Sequence, residues 1–365
     1  DIKLPINRNK IITVPGVRRC GKSTLMEIAI NGLVREGVSP RNILWLGFDD
    51  ERLKNMSSDD LDDVIVSYME MFPDIPIKDV YMFFDEIQLI KDWEYFVLRV
   101  YKSYCKNIYV CGSNATMLST ELSSALRGYP LEYETYPLSF NEYCRFKGIA
   151  TNSYLEQDRA RLKMAFEAYN QASAFPEIVL TSSRSEQLKL LHGYFDTMIL
   201  KDLAEHYKIS NTGVVRYFVK RVMANLPKPT SINAIYKDIK SQGLKVSKDD
   251  LYLWADYICN IFMFARISKY DRSLVKEQKS LDKYYCIDNG MRGAVLMPQS
   301  NDNGKNLENT VFMQLNRMRL PSDKITYYQG NCECDFVLQR EDNVIQLRQV
   351  TWDMVDASTR EREIK

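Results

Sequence analysis

Hydrophobic positions follow different patterns along the chain. In the first 145 positions they form short continuous runs, KIITVPG, DVYMFF and NIYVCG, which have the length and composition of strands buried in a parallel sheet. Between residues 146 and 275 they recur every three or four positions, as in SYLEQDRARLKMAFEAYN and EQLKLLHGYFDTMILKDLAEHY, the period of amphipathic helices. These patterns predict an α/β domain over residues 1–145 and a helical domain over residues 146–275.

Two later segments of the chain each predict a recognisable order of helices and strands. The segment KPTSINAIYKDIKSQGLKVSKDDLYLWADYICNIFMFARISKYD predicts a helix, a turn at Gly243, a second helix and a hairpin ending near Tyr270, an order similar to a winged helix. The final segment predicts the helix NLENTVFMQLNRMRL and the strands KITYYQ, CECDFVLQR and VIQLRQV, separated by turns. This order predicts a small α/β domain over residues 276–365.

Composition limits the classes of protein to consider. A chain of 365 residues with 45% hydrophobic residues can fill two or three cores. Its 49 Lys and Arg against 48 Asp and Glu give no overall attraction to nucleic acid or anionic lipid, so DNA or RNA binding would need local patches. The eight cysteines form no CxxC pair, and no apolar run approaches the roughly 20 residues of a membrane span. We expect a soluble cytoplasmic protein with reduced thiols.

A glycine-rich segment between the first apolar run and a predicted helix fits G-x-x-x-x-G-K-[ST] at every fixed position. Backbone N–H groups of such a loop surround phosphate oxygens, while Lys22 reaches the outer phosphates and Ser23 offers its hydroxyl to Mg²⁺. The alternative is a glycine-rich turn that binds nothing. The motif predicts ATP and Mg²⁺ as cofactors, bound by Gly16, Val17, Arg18, Arg19, Cys20, Gly21, Lys22, Ser23 and Thr24.

An acidic pair and two single residues complete the predicted site. Asp85 and Glu86 end an apolar strand, where Asp85 would hold Mg²⁺ through water and Glu86 would accept a proton from the attacking water. Asn114 follows the next strand and could orient that water, and Arg127 could stabilise γ-phosphate charge within one chain or across an oligomer interface. The alternatives are a strand-to-loop transition, an ordinary turn and a solvated helix-end arginine, respectively.

Residues 11–143, with GVRRCGKST, FFDEIQ, GSNA and SALRGYPLEYETYPLSFNEY, resemble the bacterial and archaeal AAA-type ATPases that carry a C-terminal domain of unknown function. The resemblance continues through AFPEIVL and NLENTVFMQL to CECDFVLQR. It implies an AAA/ASCE-type P-loop NTPase domain, a helical and winged-helix-like region, and a small restriction-endonuclease-like domain. The family usually has Arg-Gly-Arg where this chain has Arg127-Gly128-Tyr129, so only Arg127 is carried over.

The second helix of the winged-helix-like segment carries an unfavourable charge for reading DNA. SKDDLYLWADYICN contains Lys248 against Asp249, Asp250 and Asp256, and a helix that enters the major groove should not repel phosphate. We therefore favour a packing or protein-contact role for this helix over sequence-specific DNA recognition.

The last segment also resembles the PD-(D/E)xK nuclease fold, as the family resemblance implies. The matching positions are Glu308, Asp335, Gln346 and Arg348. Gln346 is neutral where a divalent cation needs a carboxylate, and Arg348 cannot lose its proton where a lysine must titrate. We predict a degenerate nuclease fold used for binding, with an active nuclease or an unrelated α/β cap as alternatives.

Together these patterns predict an ATPase that couples hydrolysis to domain rearrangement on nucleic acid or a protein partner. Two alternatives stay open: an ATP-gated regulatory or adaptor module with little turnover, and an ATP-dependent nuclease. The sequence does not decide the partner or the oligomeric state.

Overall fold

The computed structural model describes residues 4–5, 9–113, 128–151, 155–296, 302–341 and 343–352. The chain divides into two compact units, unit 1 (residues 1–135) and unit 2 (residues 136–365). Within the described residues, no helix combines the length and the apolar character needed to cross a membrane.

The described part of unit 1 contains a five-stranded sheet in the order β2-β3-β4-β1-β5. All of its neighbouring strands run parallel, which confirms the predicted parallel α/β sheet. β4 lies between β1, which leads into the glycine-rich loop, and β3, which ends in the acidic pair. The strands are β1 Ile11–Pro15, β2 Ile43–Gly47, β3 Tyr81–Asp85, β4 Asn107–Gly112 and β5 Pro130–Glu132.

Helices cover both faces of this sheet, which explains why its strands are apolar runs without alternation. Successive strand residues enter different cores: Phe84 packs in one cluster with helices α2 and α3, and Phe83 packs in the other with α1. Both phenylalanines are fully buried, and burial of such a side chain contributes about 1.5–3 kcal/mol. These helices are α1 Lys22–Arg35, α2 Leu61–Met71 and α3 Trp93–Ser103.

Unit 2 begins with helices, and the two predicted amphipathic segments are helical in the structure. A capping box between Ser139 and Glu142 starts α4, and the second predicted segment continues from α7 into a π-helix, Met198–Glu205. The helices are α4 Phe140–Phe146, α5 Glu156–Gln171, α6 Pro176–Leu180, α7 Arg184–Thr197, α8 Thr212–Asn225, α9 Ile232–Ser241, α10 Lys248–Asn260, α11 Leu274–Lys279, α12 Asn289–Val295 and α13 Asn303–Met318.

The predicted hairpin ending near Tyr270 is wrong. β7, Phe264–Ile267, pairs with β8, Asp282–Cys286, which follows α11, and β8 also pairs with β6, Pro229–Thr230. The partner of β7 is therefore distant in sequence. This sheet joins strands on both sides of residue 275, whereas the proposed three-domain division itself stays a prediction.

The three predicted C-terminal strands are present as an antiparallel sheet in the order β11-β10-β9. β9 is Asp323–Gln329, β10 is Glu333–Arg340 and β11 is Asn343–Arg348. One face is anchored in the unit, because Phe336 of β10 packs against Tyr285 and Phe312, with ring centroids 5.6 and 6.0 Å away.

Candidate functional site

The glycine-rich loop follows β1 and requires glycine at two positions. At Gly16 the chain passes so close to Thr135 that a Cβ would lie 2.3 Å from the Thr135 carbonyl oxygen. Gly21 adopts a left-handed φ of 99° immediately before α1 begins at Lys22. The loop therefore turns directly into a helix N-terminus, where backbone N–H groups favour an anion.

Lys22 points into this loop. Its side chain is almost fully buried, and Nζ donates to the carbonyl oxygens of Gly16 and Val17, each 3.1 Å away. The same ammonium lies 4.0 Å from Oε1 of Glu86. A buried lysine held mainly by neutral carbonyl dipoles is poised to interact with an anion that enters the loop.

Ser23 and Asp85 meet at the edge of the sheet. The Ser23 hydroxyl lies beside the Asp85 carboxylate, and the Cys111 thiol of β4 donates to Asp85 Oδ1. Burial raises the pKa of Asp85, and the Cys111 thiol and the Ser23 hydroxyl oppose that effect. Burial also raises the pKa of Cys111 well above its ordinary value, so the thiol stays protonated and remains a donor.

These two residues suit Mg²⁺ in the chemistry of their donor atoms. A hydroxyl and a carboxylate are hard oxygen ligands, and Mg²⁺ commonly takes one or two protein ligands while phosphates and water supply the rest. Among the described residues, no group of three or more His, Cys, Asp or Glu is placed to hold a metal ion. Ser23 and Asp85 fit a metal that arrives with a phosphate ligand.

Glu86 is held by neighbours that the sequence did not indicate. It has a left-handed φ of 51° at the end of β3, and its side chain is 14% exposed. Oε2 accepts hydrogen bonds from Gln88 Nε2 and from Ser113 Oγ, the latter at 3.3 Å. Oε1 is the oxygen that faces Lys22.

The remaining predicted loop residues are also placed. Val17 and Cys20 are buried, and Cys20 Sγ lies 3.1 Å from Thr135 Oγ1. Arg19 and Thr24 are exposed, and Arg18 is half-buried. The candidates Asn114 and Arg127 lie outside the described residues, so their roles stay predictions.

Unit 2 brings together only part of the predicted C-terminal site. Glu308 of α13 and Asp335 of β10 both pair with Lys283, whose Nζ lies 3.0 Å from Glu308 Oε1 and 3.4 Å from Asp335 Oδ1. The Tyr285 hydroxyl donates to the same Glu308 oxygen at 2.9 Å. Burial raises the pKa of Glu308 to about 7, and Lys283 opposes that rise.

Gln346 and Arg348 lie on β11, which is exposed along its length. In the ladder with β10 they are opposite Leu338 and Phe336, respectively. The cation beside Glu308 and Asp335 is therefore Lys283 of β8. The sequence comparison with the nuclease pattern did not indicate that residue.

Comparisons with known proteins match two family models to successive parts of the chain. Residues 8–144 match a family model described as an AAA domain, and residues 164–302 match one described as a domain of unknown function (DUF8612). The uncharacterized protein MJ1544 of Methanocaldococcus jannaschii is 30% identical over 370 residues, covering 100% of this chain and 79% of that protein. This chain belongs to the same family as MJ1544. The expected AAA-type domain followed by a domain of unknown function is confirmed.

Other similarities are weaker. An uncharacterized protein of Haemophilus influenzae is 28% identical over 335 residues, covering 92% of this chain and 81% of that protein. A structural match to Cdc6p of Pyrobaculum aerophilum covers 79% of this chain and 88% of that protein, with 9% identity and a TM-score of 0.31. The Aeropyrum pernix Orc1 protein in complex with DNA covers 78% and 86%, with 12% identity and a TM-score of 0.32. Such TM-scores carry no functional argument.

Proposed function

We propose that this member of the MJ1544 family is a Mg²⁺-dependent ATPase that couples hydrolysis to rearrangement of the parts that follow its AAA domain. The observation that supports this most directly is the meeting of the loop with the acidic pair. The Ser23 hydroxyl lies beside the Asp85 carboxylate and lowers its pKa, and Lys22 lies 4.0 Å from Glu86. Four chemically complementary side chains thus converge at the carboxyl ends of β1 and β3, where parallel sheets bind ligands.

Each of the four side chains has a distinct role in this proposal. Lys22 exchanges two loop carbonyl oxygens for phosphate oxygens and stabilises their charge. Ser23 and Asp85 supply the oxygens that would hold Mg²⁺, whose charge neutralises the transferred phosphate. Glu86 accepts a proton from the attacking water through Oε1, the oxygen on the Lys22 side.

The test compares ATP binding with ATP hydrolysis. Glu86→Gln should retain ATP binding and lose turnover by about 10²–10⁴-fold, the usual contribution of a general base. Glu70→Gln, at an exposed position of α2, is the matched control and should hydrolyse ATP like the wild type. Turnover that survives in Glu86→Gln would remove the proposed role of this residue. If the wild type binds ATP but does not hydrolyse it, the ATP-gated module is favoured instead.

We propose nucleic acid or a protein as the partner driven by this cycle. Contacts made by α10 weaken the argument that its acidic residues would repel nucleic acid. Asp250 forms a capping box with Ser247, and Asp256 forms an ion pair with Arg266 at 2.6 Å. These two carboxylates therefore stabilise the folded structure. Stimulation of turnover by single- or double-stranded DNA or RNA, lost in Glu86→Gln, would select nucleic acid. Turnover that none of these nucleic acids stimulates would favour a protein partner.

We propose that the C-terminal part is a degenerate nuclease-like fold without cleavage activity. The support is that Lys283 pairs with both carboxylates of the predicted metal site. Incubation of a labelled duplex with the protein in Mg²⁺ or Mn²⁺ should leave it intact. Cleavage that disappears in Asp335→Ala would overturn this proposal.

A further inference from the structure

The turn after β3 contains a side-chain amide that contacts the proposed base. Gln88 lies two residues after Glu86, and its Nε2 donates to Glu86 Oε2. Ser113, which follows β4, donates to the same oxygen at 3.3 Å. One oxygen of the carboxylate therefore has two donors, one from the β3 turn and one from the end of β4.

Gly112 makes room for this amide. A Cβ at Gly112 would lie 2.4 Å from Gln88 Oε1, 2.9 Å from its Cδ and 3.3 Å from its Nε2. The amide of Gln88 thus lies directly against the backbone of β4. An alanine at this position would displace the amide without altering Glu86 or Gln88 chemically.

The two oxygens of Glu86 face different surroundings. Oε2 is held by Gln88 and Ser113, and Oε1 lies 4.0 Å from the Lys22 ammonium. Lys22 marks the side of the loop that would hold the outer phosphates. Holding Oε2 fixes the rotation of the carboxylate, so Oε1 is directed toward that side.

We propose that Gln88 is a positioning residue that, with Ser113, anchors Oε2 of Glu86 and directs Oε1 toward the phosphate side of Lys22. This inference rests on the proposed ATPase function. Proton transfer requires the base to lie within hydrogen-bond reach of the water, and a displacement of 1 Å can cost about 10²-fold in rate. Gln88 acts through Glu86 and does not itself touch the nucleotide in this proposal.

Two variants disturb the amide by different routes. Gln88→Glu keeps the size of the side chain and replaces the donor with an acceptor, whereas Gly112→Ala displaces the amide sterically. Each should lower kcat by about 10- to 100-fold while the Kd for ATP changes less than about threefold. The double variant should be no slower than the slower single variant, because both changes break one contact. Leu89→Ala is the control in the same turn, since Leu89 is 58% exposed.

A second readout does not depend on turnover. In protein labelled with ¹⁵N-glutamine, the side-chain amide signal of Gln88 is assigned by its loss in Gln88→Glu. It should shift in nucleotide-free Gly112→Ala and in nucleotide-free Glu86→Gln, and stay unchanged in Leu89→Ala. An unmoved signal in Gly112→Ala and in Glu86→Gln would overturn the contact itself.

The outcomes separate this inference from the proposed function. If the wild type hydrolyses ATP and Glu86→Gln does not, but Gln88→Glu and Gly112→Ala keep the wild-type kcat, the positioning role is wrong and the ATPase assignment stands. If the wild type shows no turnover above Glu86→Gln, the ATPase assignment fails and this inference fails with it. A selective loss of kcat in both variants, with ATP binding retained, is the result that we expect.

Discussion

Replacement of Lys283 by methionine tests the charge balance inside unit 2. Lys283 Nζ lies 3.0 Å from Glu308 and 3.4 Å from Asp335, and the side chains in both pairs are only 12–13% exposed. Lys283→Met keeps an apolar side chain of similar length and removes the positive charge. It therefore leaves two carboxylates close together in a poorly solvated site.

The expected cost depends on pH because Glu308 titrates near neutrality. Removing one partner from a buried ion pair costs about 3–5 kcal/mol in the free energy of unfolding. Burial raises the pKa of folded Glu308 from 4.5 to about 7, so its contribution to stability is present below about pH 4.5 and is lost as pH rises through about 7. Because Lys283 opposes that rise, the variant should lose more stability at high pH. At about pH 5.5, where Glu308 is protonated, the cost should fall to roughly half.

Equilibrium urea unfolding measures this cost if the reporter belongs to unit 2. After equilibration at about pH 5.5 or 8.5, a short deuterium pulse at one fixed pH followed by mass spectrometry reads the unfolded fraction of peptides that cover residues 282–286 and 303–318. Lys201→Met is the matched control, since its pair with Glu205 is 2.9 Å long but both side chains are 61% exposed. That control should cost about 0.3–0.5 kcal/mol at both pH values. An equal cost for Lys283→Met at the two pH values would refute the charge argument.

Two other predictions concern packing and thiol reactivity. Gly290→Ala should destabilise unit 2 by about 1–3 kcal/mol in a thermal-shift or urea assay, because its Cβ would lie 2.3 Å from the backbone nitrogen of Ser173. Gly293→Ala, in the same helix with nothing within 4 Å, should be neutral or slightly stabilising, and a similar loss in both variants would contradict the steric explanation. Cys111, which is buried and has a raised pKa, should react with iodoacetamide far more slowly near pH 7 than the exposed Cys332, as followed by peptide mass spectrometry. Equal labelling rates in the folded protein would contradict that description of the Asp85 environment.

The proximity of the candidate residues in unit 1 could be predicted because each of them carries a local signal in the sequence. The loop motif fixes Lys22 and Ser23, and the end of an apolar strand indicates Asp85 and Glu86. A parallel sheet then brings strand ends to one edge, as the structure shows. Gln88 gave no such signal, because its contact with Glu86 depends on the close approach of Gly112 from another strand.

The pairing in unit 2 was harder to predict. Alternation of residues indicates a strand but does not identify its partner. The sequence therefore predicts a local hairpin for β7, whereas β7 pairs with β8 beyond α11. The sequence does not indicate a role for Lys283, because lysine is usually solvent-exposed and no motif marks this position. Its importance appears only when β8, α13 and β10 are brought together.

Both units hold a buried lysine beside carboxylates, and the other partners of each lysine explain why we assign them different roles. Lys22 donates to two carbonyl oxygens, which carry partial charges, and lies 4.0 Å from Glu86. An anionic phosphate can replace those carbonyls with a gain in electrostatic energy. Lys283 instead pairs with two carboxyl groups, at 3.0 and 3.4 Å, and faces two negative charges once Glu308 is ionised. A phosphate that replaced these carboxyl groups would gain no electrostatic energy. A divalent cation would have to displace the ammonium group or lie next to it. We therefore assign the lysine of unit 1 to the proposed ligand site and the lysine of unit 2 to an internal ion cluster.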